Sequence, residues 1–151
     1  MSVKEKGLAI IATTKPLIVN TIGLDGYPNT RIFYSQANDG YTIYFSSGAT
    51  AAKVGEIAAN SKVSAYYENT AQEITTWKNV VVYGDASPLV KEDSDYEKAL
   101  SLLSQKSPRF KKRVEDGLLH EMIIYKITPR RVKVLDYASE PRVEQFELGA
   151  G

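Results

Sequence analysis

Lys53 stands where a helix would be expected to avoid it. In the stretch YFSSGATAAKVGEIAAN, residues 44–60, Thr50 or Ser47 reads as an N-cap and Ala51 to Asn60 as helix, which puts Lys53 in the first or second turn. A helix N-terminus already carries roughly half a positive charge, so a lysine there costs about 0.3–1 kcal/mol unless an anion compensates. The neighbouring residue types offer such compensation. Ser46, Ser47 and Thr50 bring hydroxyl donors, Gly48 permits close backbone approach, and the first helix amides point outward. A phosphate held in that cradle would make the lysine charge favourable. The plainer alternative is an exposed lysine on a helix that begins one turn earlier. A second cation would favour the cradle, and Arg31 supplies one. It lies inside an extended β-branched and aromatic segment, where an unpaired guanidinium is expensive to bury. There it could hold the same phosphate with two bonds.

Other chemistries find little support. His120 is the only histidine, and its place at the start of an apolar strand favours a structural or surface role over catalysis. No cysteine is present, which removes disulfides, thiol nucleophiles and thiolate metal sites together. Neither GxxxxGK[ST] nor GxGxxG occurs, and Gly23 and Gly26 belong to a strand-to-strand turn. The acids of EDSDYE, Glu92 to Glu97, fall at a helix start, where they favour the dipole, so no metal site is assigned. The basic run RFKKR, Arg109 to Arg113, is followed directly by Glu115 and Asp116. It reads as a solvated helix face rather than a nucleic-acid patch. No catalytic residue is assigned.

These residues must be positioned by a chain of 151 residues, 43% hydrophobic and 25% charged, which suits a single domain over 1–151. A net charge of +1 exerts no global pull toward nucleic acid or membrane. The apolar stretch Leu8 to Ala12 is too short for a bilayer span or a secretory leader, so a cytoplasmic protein without membrane partner is expected.

Lys4 to Thr14 reads as a short lead helix, followed by a strand over LIVNTIG and a turn at Asp25-Gly26. Tyr27 to Gln36 is extended, Asn38-Asp39-Gly40 turns, and Tyr41 to Ser46 alternates as a strand. Beyond the Lys53 helix, Ser61 to Asn69 and Thr75 to Val90 are strand-like. Ser94 and Glu97 suggest a capping box for one helix, and Ser107-Pro108 an N-cap with N1 proline for the next, which stops at Gly117. Two final strands, split by Pro129, precede a tail from about residue 138, read as mobile or partner-binding. The class is mainly β with inserted helices: a small antiparallel barrel of six or seven strands, or alternatively a plain α+β sandwich.

GYPNTRIFY, a DG turn, YTIYFSS, a lysine six residues after Ser47, an asparagine at the helix end and NVVVYGDA occur in that order from about Leu17 to Leu89. In this the chain resembles the FMN-binding split-barrel family related to pyridoxamine 5′-phosphate oxidase. The resemblance implies that Arg31 and Lys53 contact the FMN phosphate and that Ser47 begins the phosphate loop, with Ser46 just before it. It also implies that Arg31, Ile32, Phe33 and Tyr34 form the strand along the isoalloxazine ring, and that Asn79 contacts that ring. Thr50 joins the phosphate contacts through the cradle reading.

Three departures point to a small general-stress-protein-like member rather than the vitamin B6 oxidase itself. Ala52 and Gln36 replace basic residues of the oxidase, and its C-terminal arginine signature is not recognisable in RVEQFELGAG. The implied function is an FMN-dependent oxidoreductase acting on an unidentified small molecule through flavin N5, as a homodimer with cofactor at the subunit interface. The alternative is a non-catalytic protein that binds or senses flavin, heme or a deazaflavin.

Overall fold

The computed structural model describes residues 1–14, 16–69 and 71–149. In chain order the elements are α1 (Val3–Ala12), β1 (Leu17–Ile22), β2 (Pro28–Phe33), β3 (Gln36–Asp39), β4 (Thr42–Gly48), α2 (Ala52–Ala59), β5 (Lys62–Glu68) and β6 (Lys78–Leu89). They are followed by α3 (Tyr96–Lys106), α4 (Pro108–Glu115), β7 (Met122–Asp136) and β8 (Val143–Glu147). The strands pair antiparallel in one sheet ordered β2-β1-β5-β6-β7-β4-β3, with β8 added on β7.

The two ends of that order, β2 and β3, are consecutive in the chain and separated only by Tyr34 and Ser35. The three steps from Phe33 to Gln36 span no more than about 11 Å, so the sheet must curl until its edges meet. The Ser46 amide donates to the Ser35 carbonyl at 3.3 Å, and the Phe33 and Phe45 rings lie 4.6 Å apart across the seam. The result is a split barrel, as the sequence predicts, with seven strands on its path among the described residues and β8 added outside that path on β7.

Alternation of side chains decides what fills it. Leu17, Val19, Phe33, Phe45, Ala65, Tyr67, Val82 and Ile127 point inward and form the barrel core, with α1 adding Ile10 and Ile11. A second cluster lies outside the barrel, where Tyr44 and Ile124 meet Tyr96, Leu103 and Phe110 of α3 and α4.

Several local expectations are corrected. The cap of α2 is neither Ser47 nor Thr50 but Ala51, which offers no side-chain acceptor. Ser94 does not cap α3, whose N-cap is Asp95, again without a side-chain capping bond, the Asp95 carboxylate pairing with Lys126 instead. Pro129 does not split the last strands. Tyr83 pairs Arg131 and Gly84 pairs Pro129, so Arg130 is bulged out and β7 runs through as one strand. His120 lies in a short 3-10 turn, Leu119–Glu121, ahead of β7 and is exposed. Residues 143–147, read as part of a tail, form β8. Phe146 packs edge-on against Tyr41 at 5.5 Å, which gives this terminal strand an apolar anchor.

Candidate functional site

Arg31 projects from β2 toward α2. Its Nη2 donates to Glu56 Oε1 at 2.7 Å. Glu56 is 7% exposed and accepts twice more, from Thr21 Oγ1 at 2.9 Å and Asn29 Nδ2 at 2.5 Å. Hydrogen bonds from Thr21 and Arg31 hold its carboxyl below the usual carboxylate range against the effect of burial. Arg31 therefore has a protein partner, which the sequence reading did not supply. Its Nε is nevertheless buried and finds no hydrogen-bond partner among the described residues. The guanidinium is held from one side and unsatisfied on another.

Lys53 is the second residue of α2. That helix starts without a side-chain cap and without an acid in its first turn, so its leading amides and their partial positive charge are uncompensated. The Lys53 ammonium sits 4.7 Å from the centre of the Phe33 ring, a favourable contact for a cation. Burial, and then the charge of Arg31, push its pKa below the ordinary lysine value. Two cations and a helix N-terminus thus converge on one spot at the seam, and an anion there would relieve all three.

The other predicted residues divide between the faces of the sheet. Ser47 is buried on the barrel side, its Oγ donating to the Gly48 carbonyl at 3.1 Å. Ser46 is half-buried and Thr50 exposed. Among the described residues neither makes a side-chain hydrogen bond, so both hydroxyls remain available. A Cβ built on Gly48 would meet nothing within 4 Å, leaving room for close approach at the end of β4. Phe33 is in the core, whereas Ile32 and Tyr34 are 57% and 76% exposed on and beside the edge strand β2.

Asn79 is not brought to this spot. It lies on β6, on the outer face of the sheet, and donates to the Tyr66 hydroxyl at 3.2 Å. Tyr66 hydrogen-bonds Glu68, which also accepts from Trp77 Nε1 at 3.0 Å. Burial, and then the hydrogen bond to Glu68, push the Tyr66 hydroxyl up to about 12.

Two features escaped the sequence reading. Glu56 is one; an acid set among Val54, Gly55, Ile57 and Ala58 of a short helix was its only signal. The other is that Arg109 and Arg113 border a cavity with Ser46 and Ser47, where RFKKR reads from sequence as a solvated helix face. Among the described residues no group of three or more His, Asp or Glu could hold a metal ion, and no helix is long and apolar enough to cross a membrane.

Solved structures share the fold over nearly the whole chain. A heme binding protein from Mycobacterium smegmatis superposes with a TM-score of 0.81 at 15% identity, covering 97% of this chain and 58% of its own. This chain thus spans little more than half the length of that protein. The general stress protein 26 of Bacillus anthracis gives a TM-score of 0.71 at 20% identity, covering 98% and 100%. A protein from Clostridium acetobutylicum related to general stress protein 26 of B. subtilis, of the pyridoxinephosphate oxidase family, gives 0.71 at 14% identity, covering 96% and 94%. At these identities the likeness speaks for the fold alone. No curated protein matches the sequence. The family model described as pyridoxamine 5′-phosphate oxidase matches residues 3–136, and the chain belongs to the pyridoxamine 5′-phosphate oxidase family.

Proposed function

We propose that the protein binds FMN and acts as a flavin-dependent oxidoreductase on a small molecule. The observation that carries this reading is the convergence of Lys53, the unsatisfied side of Arg31 and the uncapped start of α2. A phosphate there would receive the Lys53 ammonium, the Arg31 guanidinium, the α2 amides and the free hydroxyl of Thr50, with the Ser47 hydroxyl turning from the Gly48 carbonyl to join them. Glu56 keeps the guanidinium oriented, so its fork meets the anion without first having to be ordered. The edge of β2, from Arg31 to Phe33, has one side unpaired by any strand and offers backbone donors and acceptors to a flat ring, with Tyr34 following and Ser46 at the facing strand end. Bound FMN would supply the electron or hydride transfer at N5.

The proposal includes a homodimer. Ile32, Ile18, Tyr66 and Val81 stand in register across four strands of the outer face, and a second subunit on that apolar row would bring its own Asn79 near the β2 edge of the first. It also includes a cytoplasmic location, where a chain without cysteines forgoes nothing.

The direct test is the visible spectrum of the purified protein after adding FMN and removing the excess. A retained two-banded flavin spectrum is expected, and a colourless protein would refute the reading. Lys53→Ala and Arg31→Ala are each expected to weaken FMN binding by about 1–3 kcal/mol with the circular dichroism unchanged; unchanged affinity in both would sink the cradle. Bleaching by NAD(P)H and recolouring by an acceptor would mark an enzyme, a redox-silent complex a carrier or sensor. A deazaflavin in place of FMN would lack the long-wavelength band of the oxidised flavin. One observation favours heme as a second reading: His120 lines a cavity of about 400 Å³ with Leu89, Tyr96, Leu119 and Met122 on its apolar side and Lys91 and Glu92 on its charged side. A Soret band in the same spectrum would select it.

A further inference from the structure

Arg130 and Arg131 are neighbours in the chain, and in an unbroken strand they would point to opposite faces of the sheet. The bulge at Pro129 changes that. Tyr83 pairs Arg131 while Gly84 pairs Pro129, so Arg130 is the extra residue, and both arginines border one cavity of about 560 Å³. Tyr83 lines it from β6, Glu147 from β8, and Leu148 and Gly149 close one side. The Leu148 amide donates to the Arg130 carbonyl at 2.9 Å, which ties that side to the bulge.

The polar side chains are differently engaged. Arg130 Nε donates to Asp85 Oδ2 at 3.0 Å, which holds the guanidinium and leaves both its Nη groups without a partner among the described residues. The Arg131 guanidinium lies over the Tyr83 ring, 4.2 Å from its centre, and makes no hydrogen bond or ion pair among the described residues. A planar cation supported by a ring on one side can take a second flat group on the other. Glu147 stands opposite Arg131 in the strand register, yet no ion pair joins them. A site for a simple anion gains nothing from that carboxylate, whereas a ligand carrying both an anion and hydrogen-bond donors uses it.

We propose that this cavity binds a guanine mononucleotide, with the base stacked on Arg131, its N1–H and amino group donating to Glu147, and its phosphate on the free Nη groups of Arg130. Guanine presents two adjacent donors to a carboxylate, which accepts with both oxygens; adenine presents one donor beside an acceptor that the carboxylate repels. The volume falls within the range of small-ligand sites, about 300–1,000 Å³. The site shares no residue with the Arg31–Lys53 cradle or with the apolar row Ile32, Ile18, Tyr66 and Val81, so it stands independently of the flavin reading.

Calorimetric titration of the full chain with GMP, AMP, guanosine and ribose 5-phosphate, with and without FMN, tests the proposal. GMP is expected to bind with a dissociation constant below about 1 mM, about tenfold more tightly than the other three, and equally in the presence of FMN. Arg131→Gln is expected to weaken GMP about tenfold. Arg131→Lys, which keeps the charge and loses the plane, should weaken it nearly as much. Arg130→Gln should erase most of the advantage of GMP over guanosine, and Glu147→Gln most of its advantage over AMP, with circular dichroism unchanged in all four variants. Absent GMP binding, equal binding of AMP, or full affinity in Arg131→Gln would each overturn the proposal. Displacement of GMP by FMN together with its loss in Lys53→Ala would move the nucleotide to the cradle and refute this cavity. Tighter binding of a guanine-containing tetranucleotide than of GMP would refute a mononucleotide site.

Discussion

Glu56 shows how one carboxylate can decide the state of an arginine. Three donors converge on it, and its pKa is lowered chiefly by the hydrogen bonds from Thr21 and Arg31. A carboxylate with a folded-state pKa below its unfolded value stabilises the fold above the unfolded pKa, about 4.3, and that contribution is lost as pH falls through the folded value. Glu56→Gln is therefore expected to lower the melting temperature at pH 7, with the gap to wild type closing below about pH 4. Melts across pH 3–8 would show it, and a constant gap would contradict the carboxylate's role. Lys53 behaves in the opposite sense. Its folded pKa is lowered by burial and by Arg31, so its charge burdens the anion-free fold at neutral pH and the burden lifts as pH rises through that lowered value. A phosphate bound beside it reverses the shift. FMN affinity is expected to fall as pH rises through the lowered Lys53 pKa toward the ordinary lysine range, and this fall should vanish in Lys53→Ala. Fluorescence titration at several alkaline pH values measures both.

Among the elements, the turns were the most legible from sequence. Asp25-Gly26, Asn38-Asp39-Gly40 and the stop at Gly117 all hold glycine at positive φ, 88°, 60° and 77°, a conformation whose steric cost falls on every residue with a Cβ. Ser107-Pro108 likewise reads directly as a helix start, because one hydroxyl and a missing amide satisfy local needs. Caps without a capping bond were missed: neither Ala51 nor Asp95 accepts a side-chain bond from its own helix, and those helices start where packing sets them. Pro129 was misread for a related reason. Alone it argues for a break; the bulge that accommodates it depends on Gly84, on the neighbouring strand. A Cβ there would fall 2.3 Å from the Thr128 carbonyl oxygen, so Gly84→Ala is expected to cost about 1–3 kcal/mol. Chemical denaturation would measure this, and a neutral substitution would mean that the bulge can shift freely.

At the scale of the molecule, closure of the sheet brings the candidate site together. Phe33, with the Lys53 ammonium over its ring, meets Phe45, the residue before Ser46 and Ser47, because β2 and β3 occupy opposite ends of the strand order yet follow one another in the chain. The same curl turns Ile32, Ile18, Tyr66 and Val81 outward as one row. Under the homodimer proposal, Ile32→Lys would place a charge into that row at both copies. The wild type is expected to sediment as a dimer and the variant as a monomer with reduced FMN retention. A monomeric wild type that holds FMN fully would dismiss the dimer while leaving the cradle intact.

What the sequence determined by itself was local and ordered along the chain: strand alternation, glycine turns, the helix carrying Lys53, and the succession of residues that resembles the FMN-binding split barrel. These follow from short-range sterics and periodicity, which a single chain segment expresses on its own. Only the tertiary structure decided that Glu56 holds Arg31, that Asn79 faces away from Lys53, that β8 joins the sheet, and that Arg109 and Arg113 overhang Ser46. Each of these depends on which strands become neighbours when the sheet closes. That choice is made by burying the whole core at once, so no segment carries it alone.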